Sequence, residues 1–267
     1  MPSAVRFQGR SLDVIDWHCP GRDLGTGGEE QAPAFEVSIG RVGGHVCRFA
    51  DGEVAADTVG LLMVNAGDAF RPVRRARGID RRTVITVSEA AVRELAGARA
   101  PRFPHHYLPL TARAALSHDA LLDPSAEPLA SHEHALAIVG EAFASALTPR
   151  SVSRPIRDAV HAVRAQLAAR YADRIRLDEL AAGVGLSPWH LSRSFRAVLG
   201  VRLHDYQTRV RLLAVLERMR GAHRPDLAAI ALEVGFSSHS HMGTAFRRFF
   251  GVPPTHVRAR TWKRRAG

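Results

Sequence analysis

Leu180-Ala181-Ala182-Gly183-Val184-Gly185-Leu186-Ser187-Pro188-Trp189-His190-Leu191-Ser192-Arg193-Ser194-Phe195-Arg196, followed by Gly200-Val201, returns further on as Ile230-Ala231-Leu232-Glu233-Val234-Gly235-Phe236-Ser237-Ser238-His239-Ser240-His241-Met242-Gly243-Thr244-Ala245-Phe246-Arg247, followed by Gly251-Val252. Ala181, Val184, Gly185, Leu186 and Ser187 align with Ala231, Val234, Gly235, Phe236 and Ser237 at an offset of 50. Past the turn the offset is 51, pairing Leu191, Phe195, Arg196 and Gly200 with Met242, Phe246, Arg247 and Gly251. The second copy has gained one residue after its glycine, and a repeat of this kind is one structural unit used twice. Each copy predicts helix, tight turn, helix. Gly185 and Gly235 stand where a left-handed residue ends an apolar helical stretch. Ser187, and Ser237 or Ser238, can cap the following helix, and Pro188 suits its first turn. Leu191, Phe195, Val198 and Leu199 recur at i, i+4, i+7 and i+8, as do Met242, Phe246, Phe249 and Phe250, so both second helices carry an inward apolar stripe. Opposite it fall Trp189, Ser192, Arg193 and Arg196 in one copy, and Ser240, Gly243, Thr244 and Arg247 in the other. This is the helix-turn-helix pattern, whose second helix enters the DNA major groove.

The second copy belongs to a longer signature: Ile230-Ala231, Val234-Gly235-Phe236-Ser237-Ser238, Phe246-Arg247-Arg248-Phe249-Phe250-Gly251-Val252-Pro253-Pro254 and Val257-Arg258. On these residues the segment from about 155 to 260 resembles the C-terminal domain of AraC/XylS-type transcription regulators. The resemblance implies one compact domain in which two helix-turn-helix units, joined by a long helix, read adjacent major grooves on one face of double-stranded DNA. It also implies activation through contact with RNA polymerase as the usual mode, with repression by occlusion as the alternative, and it admits a homodimer.

Base readout in the first unit is expected from Arg193, because an exposed arginine can fork to guanine O6 and N7, worth about 1–3 kcal/mol of discrimination. Ser192 is a weaker candidate. Trp189 is either a packing residue or, as the resemblance favours, a contact to bases or sugar-phosphate. Arg196, further along, suits a phosphate. The second unit departs from the family's pattern, since Thr244 stands where relatives often place an arginine, and Gly243 where they place bulkier side chains. Ser240, His241 and Thr244, with His239 beside them, remain as base contacts, so readout there is expected to be looser. Arg247 and Arg248 are expected on the phosphate backbone, each contact steepening the salt dependence. The tail Arg258-Ala259-Arg260-Thr261-Trp262-Lys263-Arg264-Arg265 either adds to this basic surface or is merely solvated.

The charge is divided. Residues 151–267 hold 21 Lys and Arg against 8 Asp and Glu, whereas residues 1–150 hold 16 against 18. One basic module for a polyanion and one near-neutral module for something else account for that asymmetry. No apolar signal segment follows Met1, and no run approaches the roughly 20 apolar residues that span a bilayer, so a cytoplasmic protein is expected. Cys19 and Cys47 lack metal-ligand spacing and read as reduced thiols.

Residues 1–100 are expected to be β-rich and cupin-like, a small barrel or jelly roll of short strands with glycine turns. Val37–Val42 and His45–Phe49 read as strands around Gly43-Gly44, Val59–Val64 as a buried strand, and Thr83–Val87 as a strand closed by Ser88, which could cap a helix over Glu89–Leu95. Glycine-rich 21–34 reads as a loop. In the family such a module often senses a small molecule. His18, His45, His105, His106, His118, His132 and His134 show no spacing that would build a cupin metal site; His132 and His134 point apart on a helix. No metal, cofactor or catalytic residue is therefore expected.

His105-His106 sits between prolines in a linker-like stretch; after Pro101-Arg102-Phe103-Pro104 the pattern turns helical, with helices expected over Ala112–Leu122 and Ser131–Leu147, packing against the β module or serving dimerisation. Thr148–Arg154 reads as a linker. Ile156, Val160, Val163 and Leu167 mark the next domain's first helix, and Tyr206–Arg220 a connecting helix buried between two subdomains and ended by Gly221. The expected architecture is α+β and multidomain: a cupin-like or jelly-roll module at 1–100, a helical interdomain or dimerisation segment at 101–154, and an all-α DNA-binding domain with two helix-turn-helix units at 155–267. The expected function is a sequence-specific DNA-binding regulator, activator rather than repressor, controlled by a small effector. The alternatives are a cupin-fold enzyme with a DNA-binding tail, and a regulator whose N-terminal module only mediates assembly.

Overall fold

The computed structural model describes residues 3–19, 25–26, 28–74, 79–96, 102–144, 152–221 and 225–257. The first part of the chain is built from β1 (Ser3–Gln8), β2 (Leu12–Cys19), β3 (Gly25–Thr26), β4 (Glu30–Gln31), β5 (Phe35–Val42), β6 (His45–Phe49), β7 (Gly52–Ala56), β8 (Gly60–Val64), β9 (Ala69–Arg74) and β10 (Asp80–Val87). Then come α1 (Glu89–Ala96), β11 (Tyr107–Pro109), α2 (Ala112–Leu121) and α3 (Pro128–Ala144). The strands form two antiparallel sheets, one ordered β1-β2-β10-β5-β8-β11, the other β3-β9-β6-β7 with β4 also on β9. This is a jelly-roll, cupin-like module, as the sequence led one to expect.

Period-2 alternation decides which residues face where. Val14, Ile85 and Val37 lie side by side across β2, β10 and β5. They are fully buried with Ala114 of α2 and Ile138 and Val139 of α3, so this face of the first sheet is covered by helices. Leu62 and Val64 point the other way, toward Cys47, Phe49 and Ala56 of the second sheet. Half-buried on β5, Glu36 is raised above its ordinary carboxyl pKa by desolvation, against the pull of Arg82. His45 lies 2.8 Å from the Arg82 guanidinium.

Several expectations are corrected here. β5 and β6 do flank Gly43-Gly44, but they lie in opposite sheets, so that turn is a crossing between layers. Residues 21–34 are not all loop, because β3 and β4 both add to β9. The stretch after Pro101 is not a linker either. Phe103 is buried with its N–H on Asn65 Oδ1 at 2.6 Å, His106 stacks on Phe49 at 3.7 Å, and β11 extends the first sheet. Its prolines and polar letters hid two anchoring aromatic contacts. α3 starts three residues before Ser131, and its buried Ser131, Ala135, Ile138, Val139 and Ala142 pack within the N-terminal module. Residues 145–151, covering the end of that expected helix and most of the expected linker, lie outside the described residues, as do the tail from Arg258 and residues 21–24 and 27 of the loop.

The second part of the chain is helical: α4 (Arg154–Ala169), α5 (Leu177–Ala182), α6 (Pro188–Leu199), α7 (Leu203–Gly221), α8 (Leu227–Glu233) and α9 (His239–Phe250). Along α7, Tyr206 and Val210 belong to the core of α4, α5 and α6, while Leu212, Val215, Leu216 and Met219 belong to the core of α8 and α9. Leu213 touches both. One helix thus supplies a wall to each of two small cores, which is why its apolar residues spread over most of its circumference between charged ones. α4 packs on β7, and α2 on α9, so each half of the helical region meets the β module.

Candidate DNA-reading surface

The two units are built by equivalent bonds. After α5 the chain turns through Gly185 at φ 68, and the Leu186 N–H donates to the Ala181 carbonyl at 2.9 Å. After α8 it turns through Gly235 at φ 91, and the Phe236 N–H donates to the Ala231 carbonyl at 2.9 Å. These six-residue closures cap the ends of α5 and α8. Ser187 Oγ then accepts from the His190 N–H at 3.2 Å, with Pro188 in the first turn of α6. In the second unit the cap is Ser238, accepting from the His241 N–H at 3.1 Å. The inserted residue is Ser237, whose hydroxyl sits 3.0 Å from His241 Nδ1. Both second helices end on a left-handed glycine, Gly200 at φ 70 and Gly251 at φ 75.

Leu191, Phe195 and Leu199 are buried below α6, and Met242, Phe246 and Phe250 below α9, which fixes the roll of each helix. Val198 and Phe249 are half-buried at the edges. The opposite faces are open to solvent. Trp189 is 69% exposed, and Ser192, Arg193 and Arg196 are exposed with it. The Arg193 guanidinium lies 5.3 Å from the Trp189 ring centroid, so the two side chains form one projecting patch. Cation–π attraction limits where that arginine points. On α9, His239, Ser240, His241, Thr244, Arg247 and Arg248 are exposed and Gly243 is half-exposed. His241 is partly spent locally, its ring edge-on to Phe236 at 5.4 Å. Among the described residues, no carboxylate lies within 4 Å of Arg193, Arg196, Arg247 or Arg248. Unpaired guanidiniums on an exposed face suit phosphate and guanine, which match the fork geometry.

A profile described as "Helix-turn-helix domain" matches residues 180–260. Regulatory protein SoxS of Escherichia coli (strain K12) is 35% identical over 86 residues, covering 32% of this chain and 79% of SoxS. The chain belongs to the AraC/XylS family of transcription regulators. The HTH-type transcriptional activator AarP of Providencia stuartii is 29% identical over 86 residues, 32% of this chain and 63% of AarP. Over nearly the whole chain, a crystal structure of ToxT from Vibrio cholerae is similar at a TM-score of 0.40 and 11% identity, covering 95% of this chain and 98% of that one. As a family member the chain is a DNA-binding regulator that acts through its helix-turn-helix units.

Sequence reasoning missed a second feature, the junction between the β module and the helices. Asp57, after β7, accepts from the Val59 N–H at 3.1 Å and from the Tyr206 hydroxyl at 2.5 Å. Arg164 of α4 lies 3.1 Å from the same carboxylate and 3.9 Å from the centre of the Tyr107 ring. Burial works against the charged guanidinium, but Asp57 with the two tyrosines outweighs it and holds Arg164 protonated. A second link runs from Arg41 of β5 to Glu217 of α7 at 3.2 Å, and Arg220 of α7 pairs with Asp119 of α2. Arg164 sits on the inward side of an amphipathic helix beside Val160, Val163 and Leu167. A charge among apolar letters was the available signal. Among the described residues no three His, Cys, Asp or Glu side chains gather as a metal site, and no helix is long and apolar enough to cross a membrane.

Proposed function

We propose that the chain regulates transcription by reading a two-part DNA site, with Trp189, Ser192 and Arg193 contacting bases in the first major groove and Arg196 holding a phosphate. Ser240, His241, Thr244 and His239 read the second groove more loosely, while Arg247 and Arg248 hold its backbone. The observation that carries this reading is the pair of equivalent helices, each rolled by three buried apolar residues so that its polar face is open and its arginines lack carboxylate partners among the described residues. With it goes a division of the chain into a β-rich module (1–100), a segment (101–154) whose β11, α2 and α3 pack on that module, and a DNA-binding domain (155–267). Activation is favoured over repression by AarP, whose name describes an activator. RNA polymerase is then the partner recruited.

Effector control is supported by a cleft of about 1080 Å³ between the β module and the helical region, lined by Gly40, Arg41, Ala162, Ala165, Leu213 and Glu217. A small molecule there would touch both parts, and any that favours one arrangement over another shifts the DNA-binding population by its differential affinity. The test is selection of bound sites from random duplexes with full-length protein, wild type beside Arg193→Ala. The expected result is a motif with one strict and one tolerant half, and relaxation of the strict half in the variant. A motif unchanged by Arg193→Ala would overturn the assignment of that residue to base reading.

A further inference from the structure

Beside α6 lies a second and larger cleft, of about 1490 Å³, of which the two-groove reading uses only the α6 side. The reading face of α6 lines it with Trp189, Ser192, Arg193 and Arg196, so it opens directly off the surface proposed to enter the major groove. It continues past Arg202, in the turn before α7, and Arg157 near the start of α4. Residues 102–107 of the N-terminal module line it as well. Arg157, Arg193, Arg196 and Arg202 have no carboxylate within 4 Å among the described residues. The only acidic side chain in the lining among the described residues is Asp51, which is 3.9 Å from His106. A cleft with four unneutralised guanidiniums and one carboxylate attracts a polyanion.

We propose that this cleft carries the sugar-phosphate backbone of the duplex as it leaves the first half-site, with Arg202 and Arg157 each holding a phosphate. The inference rests on α6 being a reading helix. The occupant follows from continuity: a helix lying in a major groove has the groove's phosphates on its flanks, and the cleft begins at that flank. The consequence is that the DNA footprint extends beyond the two reading helices toward residues 102–107, placing the N-terminal module beside the duplex. Arg202 stands where the second copy of the repeat has Pro253, so the extension belongs to the first unit alone.

The test uses full-length protein and two duplexes carrying the selected site, one ending at the half-site read by α6 and one extended there by about ten base pairs, a helical turn. Binding is followed by fluorescence anisotropy between 50 and 200 mM salt. Extension should tighten wild-type binding, and Arg202→Ser should lose about half of that gain, Arg157 keeping the rest, while matching wild type on the short duplex. On the long duplex, affinity of the variant should fall about 3.5-fold less than that of wild type across the fourfold salt rise, the share of one phosphate contact. Arg157→Ser should act in the same direction. It is the less clean variant, because Arg157 also donates to the Asp51 and Val152 carbonyls. Extension that leaves wild-type affinity unchanged or weakens it overturns the proposal, as does Arg202→Ser responding to extension as wild type does. Failure of the reading beneath it looks different: neither duplex is then bound sequence-specifically, and Arg193→Ala has no effect on either.

Discussion

Arg164 and Asp57, 107 positions apart in the chain, meet at 3.1 Å with side-chain exposures of 0% and 4%. The pair joins α4 of the DNA-binding region to the end of β7, and Tyr206 of α7 closes it from a third element. Removing one partner of a buried ion pair leaves the other charge uncompensated, at a cost of about 3–5 kcal/mol. Asp57→Asn should therefore lower stability by that order, measured by urea denaturation. The double variant Asp57→Asn/Arg164→Met should recover most of it, because the apolar replacement removes the stranded charge. A double variant no more stable than the single would show that the cost lay elsewhere.

Arg247 is exposed on α9, with no carboxylate partner among the described residues. Arg247→Ala should weaken binding to specific and unrelated duplexes alike and reduce the salt slope by about 1. Arg193→Ala should instead cost about 1–3 kcal/mol on the selected site and little on unrelated DNA. Titrations of both variants on both duplexes separate the two roles, and equal losses on both duplexes for Arg193→Ala would contradict its assignment.

Gly185 and Gly235 occupy the same turn in the two units but not the same surroundings. A Cβ on Gly235 would lie 2.4 Å from the Ala172 carbonyl oxygen, whereas nothing lies within 4 Å of one on Gly185. Gly185→Ala should cost only the left-handed backbone strain, roughly 1–2 kcal/mol. Gly235→Ala adds a backbone collision and should cost more, by a further ~1–3 kcal/mol. Thermal melts of the two variants check the order.

His161, at the junction, is held down to about 3 by burial, with Arg164 and Arg157 adding to the effect. Its folded pKa lies below the unfolded value of about 6.5, so the unfolded chain binds the proton first as pH falls. Stability from this group is full above about pH 6.5 and is lost between there and about pH 3, by up to ~1.4 kcal/mol per pH unit. His118, buried against Thr83, acts in the same direction. Urea midpoints at pH 7.5, 6.5 and 5.5 should decline, and less steeply in His161→Asn. Equal slopes in the two proteins would contradict this account.

The repeat was legible because every device in it is local. A left-handed glycine, a capping serine one or two residues later and apolar residues at helical spacing act over fewer than twenty positions, so they can be read along the chain. They gave the helices, the turns, the buried stripe and the exposed faces of α6 and α9. They also exposed the one-residue insertion, although only the structure chose Ser238 over Ser237 as the cap. In the β module the strands β5, β6, β8 and β10 were legible as apolar or β-branched runs between turns, whereas β1, β2, β7 and β9 were not. Strands of mixed polarity such as Ala69–Arg74 are specified by the partners they pair with.

By itself, then, the sequence determined the two helix-turn-helix units, the exposed faces of α6 and α9 and the charge division, because local propensity and periodicity carry them. Only the tertiary structure decided how the β module sits on those units. The pairing of Asp57 with Arg164, the docking of α4 on β7 and α2 on α9, and the clefts on either side depend on residues brought together from more than a hundred positions apart. No periodicity records such a meeting. It is fixed by shape and by the cost of leaving a buried charge alone, which exist only once the chain has folded.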